Sequence, residues 1–343
     1  MGFHKTLLIT LIALCGFFLS IELFYRTWLY FRNCDEVCYN TAFFTKLDAL
    51  NRNPVYGFLA ADPILGYSPV DGTFVVREPG WNGAEITIRQ GVRINPNFVP
   101  TSPDGPILVV GGSFVFGDWV SDDETWPAIL ERRLNRRVVN GGVSGYGPVQ
   151  AVLRADHLLK VQPYSLVILS ILIVGDLPRD RYVNFSRFYR PAVIREDGKP
   201  RHTTVEESGR IVSQTFACAH PWIPELFFWS HVVKRFLLKL GYDGRCNSIT
   251  HPKAATVDES LEYLIERFAA LPVSKAILIQ DPRYSFGFSI DEARKIRDAA
   301  NHHGVRVIDI YDSLRNTPLI KILKNGNEVF VDLIAREIAP IAQ

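Results

Sequence analysis

Two glycine-rich turns are where residue types and spacing in this sequence point to chemistry. The first, Gly111-Gly112-Ser113-Phe114-Val115-Phe116-Gly117-Asp118, follows the short apolar run Ile107-Leu108-Val109-Val110. It sets Ser113 just past a glycine pair at the head of a helix, a place from which a hydroxyl can attack a carbonyl while nearby backbone N–H groups hold the oxyanion. A serine there also serves as a helix N-cap, and the segment alone does not separate the two roles. The second turn, Asn140-Gly141-Gly142-Val143-Ser144-Gly145-Tyr146-Gly147, has four glycines within seven residues. Glycine reaches backbone geometries closed to other residues, so this turn can aim an N–H inward. Phosphate cradling is the competing use of such a loop, but neither the Walker spacing nor the dinucleotide fingerprint is met.

The elements that position these turns follow from hydrophobic patterning. Short apolar runs at 107–110, 137–140, 166–171, 276–279 and 305–308 read as buried strands, and the segments 124–134, 148–160, 261–270 and 290–303 read as amphipathic helices. Five buried strands alternating with helices predict a mostly parallel sheet covered on both faces. Ligands of such sheets sit at the carboxyl ends of the strands, where both turns fall. Asp176 through Arg181 and Asp281-Pro282-Arg283 occupy further strand ends and predict a mixed-charge rim. Residues 181–257 break the rhythm and read as an insertion with a helix near 227–239. Residues 33–104 read as a connector and a small β-rich subdomain, with Thr73–Arg77 and Glu85–Arg89 as strands, ahead of a domain over 105–343.

From Gly105 to the C-terminus the chain resembles the SGNH, or GDSL-like, hydrolase superfamily, which implies a flavodoxin-like three-layer α/β sandwich. Gly-Gly-Ser-Phe with a following Gly is similar to the family's first block and implies Ser113 as nucleophile. Asn-x-Gly-Val-x-Gly-Tyr-Gly is similar to the second block and implies Gly145 as an oxyanion donor. Where the third block carries an asparagine whose side chain is the remaining oxyanion donor, this chain has Gly175, in Val174-Gly175-Asp176. The Asp-x-x-His that supplies the family's base and its orienting carboxylate is missing from Ile322–Ala335, and no histidine follows His303. His302 and His303 precede Gly304 and read as the basic end of a capped helix, and His220 is the least implausible substitute base. The resemblance with degenerate catalytic blocks implies a binding or scaffolding subunit of an envelope membrane complex or surface glycan. The alternative is a carbohydrate O-acyl (acetyl) esterase or acyltransferase that uses Ser113 with a non-standard base.

The segment Thr6–Tyr25 has twenty residues with Glu22 as its one formal charge, enough to predict a transmembrane helix and a single-pass anchor through residues 6–25, within an anchor region 1–32. With Asp62-Pro63-Ile64-Leu65-Gly66-Tyr67, this resembles a bacterial membrane-anchored branch associated with exopolysaccharide or cell-wall modification. Lys5 before the segment and Arg26 and Arg32 after it leave its orientation open. Cys34, Cys38, Cys218 and Cys246 make an even number, compatible with Cys34–Cys38 and Cys218–Cys246 disulfides and a periplasmic or extracytoplasmic domain. Their spacing forms no zinc site, and no cofactor motif is present. Over 343 residues, 47% are hydrophobic and 22% charged, which excludes disorder. The net charge of +2 makes nucleic acid a poor default partner despite Arg132-Arg133 and Arg136-Arg137.

Overall fold

The computed structural model describes residues 10, 13, 16–24, 57–77, 81, 83–172, 175–185, 188–214, 249–280, 290–309 and 319–339. The chain divides into two compact units, Tyr56–Ile211 with Ser248–Gln343 and Met1–Val55 with Val212–Asn247. The α/β architecture belongs to the first. It begins with β1 (Leu59–Asp62), β2 (Gly66–Pro69), β3 (Gly72–Val76), β4 (Ala84–Arg89) and β5 (Val92–Arg93). There follow β6 (Ile107–Val110), α1 (Ser113–Phe116), α2 (Trp126–Leu134), β7 (Val138–Asn140), α3 (Pro148–Leu159) and β8 (Leu166–Leu172). After a 3-10 turn at Leu177–Arg181 come β9 (Asn184–Phe185), β10 (Phe188–Tyr189), β11 (Val193–Glu196), β12 (Lys199–His202) and α4 (Val205–Gln214). The chain then forms α5 (Val257–Ala269), β13 (Ser274–Gln280), α6 (Ile290–His302), β14 (Arg306–Asp309) and α7 (Leu319–Ile338).

The continuous apolar runs become fully buried strands because helices cover both faces. Strands β14, β13, β8, β6 and β7 pair in parallel in that order, so the chain reverses its direction of growth between β6 and β8. On one face α2 and α7 pack together, and Trp126, Ile129, Leu130, Val331, Ile334 and Ile338 meet the sheet. On the other face lie α3, α5 and α6. Helix ends follow the local signals. Thr125 accepts from the Ala128 N–H at the start of α2, and Thr256 and Glu259 form a capping box on α5. Gly304 at φ 67° closes the turn after α6, as the His302-His303-Gly304 sequence predicts.

The expectation of five strands with a separate β-rich subdomain requires correction. β5, β4 and β3 continue the same sheet beyond β7 as antiparallel strands, making eight in the order β14-β13-β8-β6-β7-β5-β4-β3. The join is the single register pair Arg93↔Asn140. Short alternating runs such as AEITIR carry a two-residue period that shows one buried face but not which strand they adjoin.

The transmembrane anchor is also corrected, and the single-pass membrane localisation with it. Among the described residues no helix is long and apolar enough to cross a membrane. The segment also carries Glu22, a carboxylate that is expensive in hydrocarbon. Cys15, Cys34, Cys38, Cys218, Cys246, the helix expected near 227–239 and Asp281-Pro282-Arg283 lie outside the described residues.

Candidate active site

Ser113 opens α1 directly after β6 and is half-buried, with Gly112 at the N-cap position in an extended conformation. Its carbonyl accepts from the Gly117 N–H (2.8 Å) and the Asp118 N–H (3.1 Å), which winds the turn tightly. No side-chain bond caps this helix, so the Ser113 hydroxyl is not spent as an N-cap. Arg93, 2% exposed, locks the turn from below. Its Nη1 donates to the Phe116 and Gly117 carbonyls (3.0 and 2.8 Å), its Nη2 to Glu85 and Val120 (3.1 and 2.7 Å), and its Nε to Asp122 (2.8 Å). All five guanidinium donors are therefore used, four of them on backbone.

Gly145 lies in the facing loop between β7 and α3, in contact with the Ser113 turn through the Val143 N–H, which donates to the Gly111 carbonyl at 3.1 Å. Its φ of 79° is in the left-handed region, and a Cβ there would stand 2.5 Å from the Phe185 ring. Successive carbonyls of this loop each have a dedicated donor. Tyr67 Oη donates to Ser144 at 3.1 Å, Arg190 Nη1 to Gly145 at 2.9 Å, and Arg179 Nη1 to Tyr146 at 3.2 Å. The Tyr67 bond matters most. In a trans peptide the N–H points opposite the C=O, so holding the Ser144 carbonyl fixes the direction of the Gly145 N–H, which has no acceptor among the described residues. Tyr67 is itself enclosed by Tyr146, Phe185 and Phe188, and burial pushes its hydroxyl well above the ordinary tyrosine range. Asp62-Pro63-Ile64-Leu65-Gly66-Tyr67 thus forms a bracket on this loop. Asp62 accepts from the Ile64 and Leu65 N–H groups (both 2.8 Å), and Gln150 Nε2 donates to the Leu65 carbonyl (2.7 Å).

Behind the two turns lies a charged layer. Ser144 donates to Asp118, whose loss of hydration raises its pKa to about 6 against the opposing hydrogen bond and the nearby Arg93 and Arg179. Asp176 accepts from the Leu172 N–H (2.9 Å) and pairs with Arg179 (2.7 Å), and burial raises its pKa as well. Asp180 accepts from the Val149 N–H at 3.1 Å near the start of α3, and burial lifts it to about 7 despite Arg190 beside it. The sequence predicts Asp176 through Arg181 as a mixed-charge rim. The structure instead buries Asp176 (4% exposed) and Asp180 (1%), leaving Arg179 partly open. The 3-10 turn folds the carboxylates inward under the loop that carries Gly145 and Tyr146.

The structure brings Ser113 and Gly145 onto adjacent loops, with Gly175 in the turn that ends β8. A Cβ on Gly112 would lie 3.2 Å from Arg179 Nη1, and one on Gly175 would lie 3.9 Å from Arg179 Nη2. No base is in place among the described residues. His157 and His302 are exposed, the His202 ring bonds Tyr263, His251 accepts from the Lys253 N–H, and His303 bonds Glu262. His4, His220 and His231 fall outside the described residues. Among the described residues no acidic, histidine or cysteine group is arranged to hold a metal ion. Arg93 and Arg190 are residues that sequence reasoning misses, and of Tyr67 it marks the motif but not the role. Their partners are 29, 45 and 77 positions away, so no local signal gives these contacts. Arg179 had one, its i, i+3 spacing from Asp176 just past a strand.

No protein-family model matches the chain, and no curated protein does. Among solved structures, TesA aligns at 13% identity with a TM-score of 0.38, covering 69% of this chain and 99% of its own. A lipase/acylhydrolase from Enterococcus faecalis aligns at 15% identity and a TM-score of 0.38 (68% and 95%). The acetylxylan esterase Axe2 from Geobacillus stearothermophilus aligns at 13% identity and a TM-score of 0.34 (70% and 97%). In this chain the five parallel strands run 2-1-3-4-5 when numbered in sequence order, with the block serine and block glycine on the loops after the first two. This is the strand order of a flavodoxin-like, doubly wound α/β sheet. The Ser113 loop and the Gly175 turn, which follow β6 and β8, flank the point where strand order reverses, the place at which open α/β sheets bind ligands, and the Gly145 loop after β7 lies beside that of Ser113.

Proposed function

We propose that this chain is an acyl-ester hydrolase whose nucleophile is Ser113 and whose substrates are O-acylated carbohydrates. The observation that carries the reading is the half-exposed Ser113, uncapped at the head of α1, beside a loop whose Gly145 N–H is held in a fixed direction and left without an acceptor. Attack of Ser113 Oγ on the ester carbonyl generates a tetrahedral oxyanion. The Ser113 and Gly145 N–H groups receive its charge without reorganising, because their loops are pinned by Arg93 and Tyr67. Collapse breaks the bond to the sugar oxygen, which takes up the proton given up by Ser113 and leaves as the alcohol, and water then hydrolyses the acyl-serine to the free acid and Ser113. The exposed faces of Phe114 (46%), next to the nucleophile in sequence, and of Trp119 (49%), just past the turn it opens, offer apolar surfaces to a sugar ring.

A second reading, binding of an acylated glycan without turnover, is favoured by one observation: every described histidine is engaged elsewhere or exposed, and none bonds Ser113. A serine without a base is a poor nucleophile. Fluorophosphonate labelling and deacetylation of acetylated saccharides separate the two. Stoichiometric labelling and acetate release, both lost in Ser113→Ala, support hydrolysis. Equal behaviour of wild type and Ser113→Ala, with retained saccharide binding, removes it in favour of binding alone.

A further inference from the structure

We infer that Arg179 is the anion-binding group of the Ser113 cleft and receives the negative charge that develops on a bound acyl group. The inference deepens the hydrolase reading and rests on it. Three observations carry it. First, the guanidinium is fixed: Nη1 bonds both the buried Asp176 carboxylate (2.7 Å) and the Tyr146 carbonyl (3.2 Å). Second, the remaining donors are available. Nη2 and Nε have no partner among the described residues, and the side chain is 27% exposed, so the fork is anchored at one nitrogen and open at the others. Third, its position is next to the nucleophile. The space a Cβ would take at Gly112, the residue before Ser113, lies 3.2 Å from Nη1, and that at Gly175 lies 3.9 Å from Nη2.

Gly112 and Gly175 thus acquire one reason in common. At Gly112 a side chain would press on the ion pair from the nucleophile's side. At Gly175 no side chain competes for the volume that Nη2 overlooks. The cation does not collapse onto its carboxylate alone, because Asp176 is also held by the Leu172 N–H (2.9 Å) and the Tyr146 carbonyl takes the second hydrogen of Nη1. A planar fork held at one nitrogen presents its other N–H groups in a set direction, which suits an oxyanion better than a mobile ammonium does.

The test uses Arg179→Lys, Arg179→Met and the double variant Arg179→Met/Asp176→Asn, which removes the pair together so that no buried carboxylate is stranded. Methylphosphonate, a stable tetrahedral anion, is titrated into each full-length protein, and turnover of p-nitrophenyl acetate is measured in parallel. Wild type is expected to bind methylphosphonate, with affinity falling about tenfold or more in both Met variants and less in Arg179→Lys, as loss of a charge-assisted hydrogen bond requires. The kcat for the ester should fall on the order of 10²–10³-fold with KM nearly unchanged, the cost of losing one oxyanion donor. Absence of methylphosphonate binding by wild type, or equal affinity in the double variant, overturns the inference whatever turnover does. Absence of Ser113-dependent turnover by wild type sinks the hydrolase reading instead, and the methylphosphonate titration still decides the role of Arg179.

Discussion

Replacing Arg93 by methionine removes the post beneath the nucleophile turn while nearly preserving side-chain length. The guanidinium is 1% exposed in its side chain and the Asp122 carboxylate 5%, so water does not screen the pair. In Arg93→Met, Asp122 keeps the Thr87 N–H (3.1 Å) but loses its cation, the Gly117, Glu85 and Val120 carbonyls lose their side-chain donor, and Phe116 keeps only Asn140 Nδ2 (3.2 Å). Stranding one member of a buried pair costs about 3–5 kcal/mol. For a unit of this size, at about 2–4 °C per kcal/mol, the melting temperature should fall roughly 6–20 °C. Thermal unfolding by circular dichroism at pH 7 reads the change. Adding Asp122→Asn should recover part of the loss, since the uncompensated charge disappears while an amide oxygen still faces Thr87. A melting temperature for Arg93→Met within about 2 °C of wild type, or a double variant no better than the single one, refutes the reasoning.

Gly145→Ala forces a Cβ into a left-handed backbone and against the Phe185 ring, and should cost about 1–3 kcal/mol with loss of fluorophosphonate labelling; unchanged urea midpoint and labelling would argue against the pinned loop. Asp118 (about 6) and Asp180 (about 7) are both raised above the ordinary carboxylate value of 3.8. A raised acid stabilises the fold fully below its unfolded pKa and loses that contribution as pH climbs through the folded value, so the urea midpoint should drop between pH 4 and 7. Asp180→Asn should flatten that slope, and a midpoint that rises over the window contradicts the assignment. On α7, Ile334→Ala, at a fully buried position, should cost about 2–5 kcal/mol in denaturant unfolding. Asp332→Asn, which breaks an exposed pair with Arg133, should cost no more than about 1 kcal/mol, and equal effects of the two would contradict the burial pattern.

The five parallel strands and the helices α2, α3, α5 and α6 are legible in the sequence to within a few residues at their ends, because buried runs such as ILVV and LVILSIL and the 3.6-residue period between them admit few other folds. The two site loops are legible for a different reason: glycines packed that densely are seldom explained except by backbone geometry. What escapes is whatever depends on contact between distant segments. Arg93 carries no signal in the sequence, yet it ends a two-residue strand and is among the most enclosed side chains in the fold. Asp176 and Asp180 read as solvated loop charges because no local rule distinguishes a rim from a layer folded beneath a neighbouring loop. The apolar segment 6–25 reads as a membrane span by length and hydropathy, measures that take no account of where a chain encloses a residue such as Glu22 (6% exposed).

The single register pair at which β5 meets β7 makes the front of this molecule a seal. β7 is three residues long and is covered on its outer side only by that antiparallel neighbour, while Arg93, the residue at the join, also reaches under the nucleophile turn. Cutting the chain at residue 105, where sequence patterning alone suggests a boundary, would leave β7 with unpaired backbone groups and Asp122 without its cation in the same stroke. Such an edge is a template for pairing with another chain, so the shortened protein is expected to self-associate through β7. The hairpin ahead of the nucleophile thus covers the β7 edge as well as holding the serine turn in place.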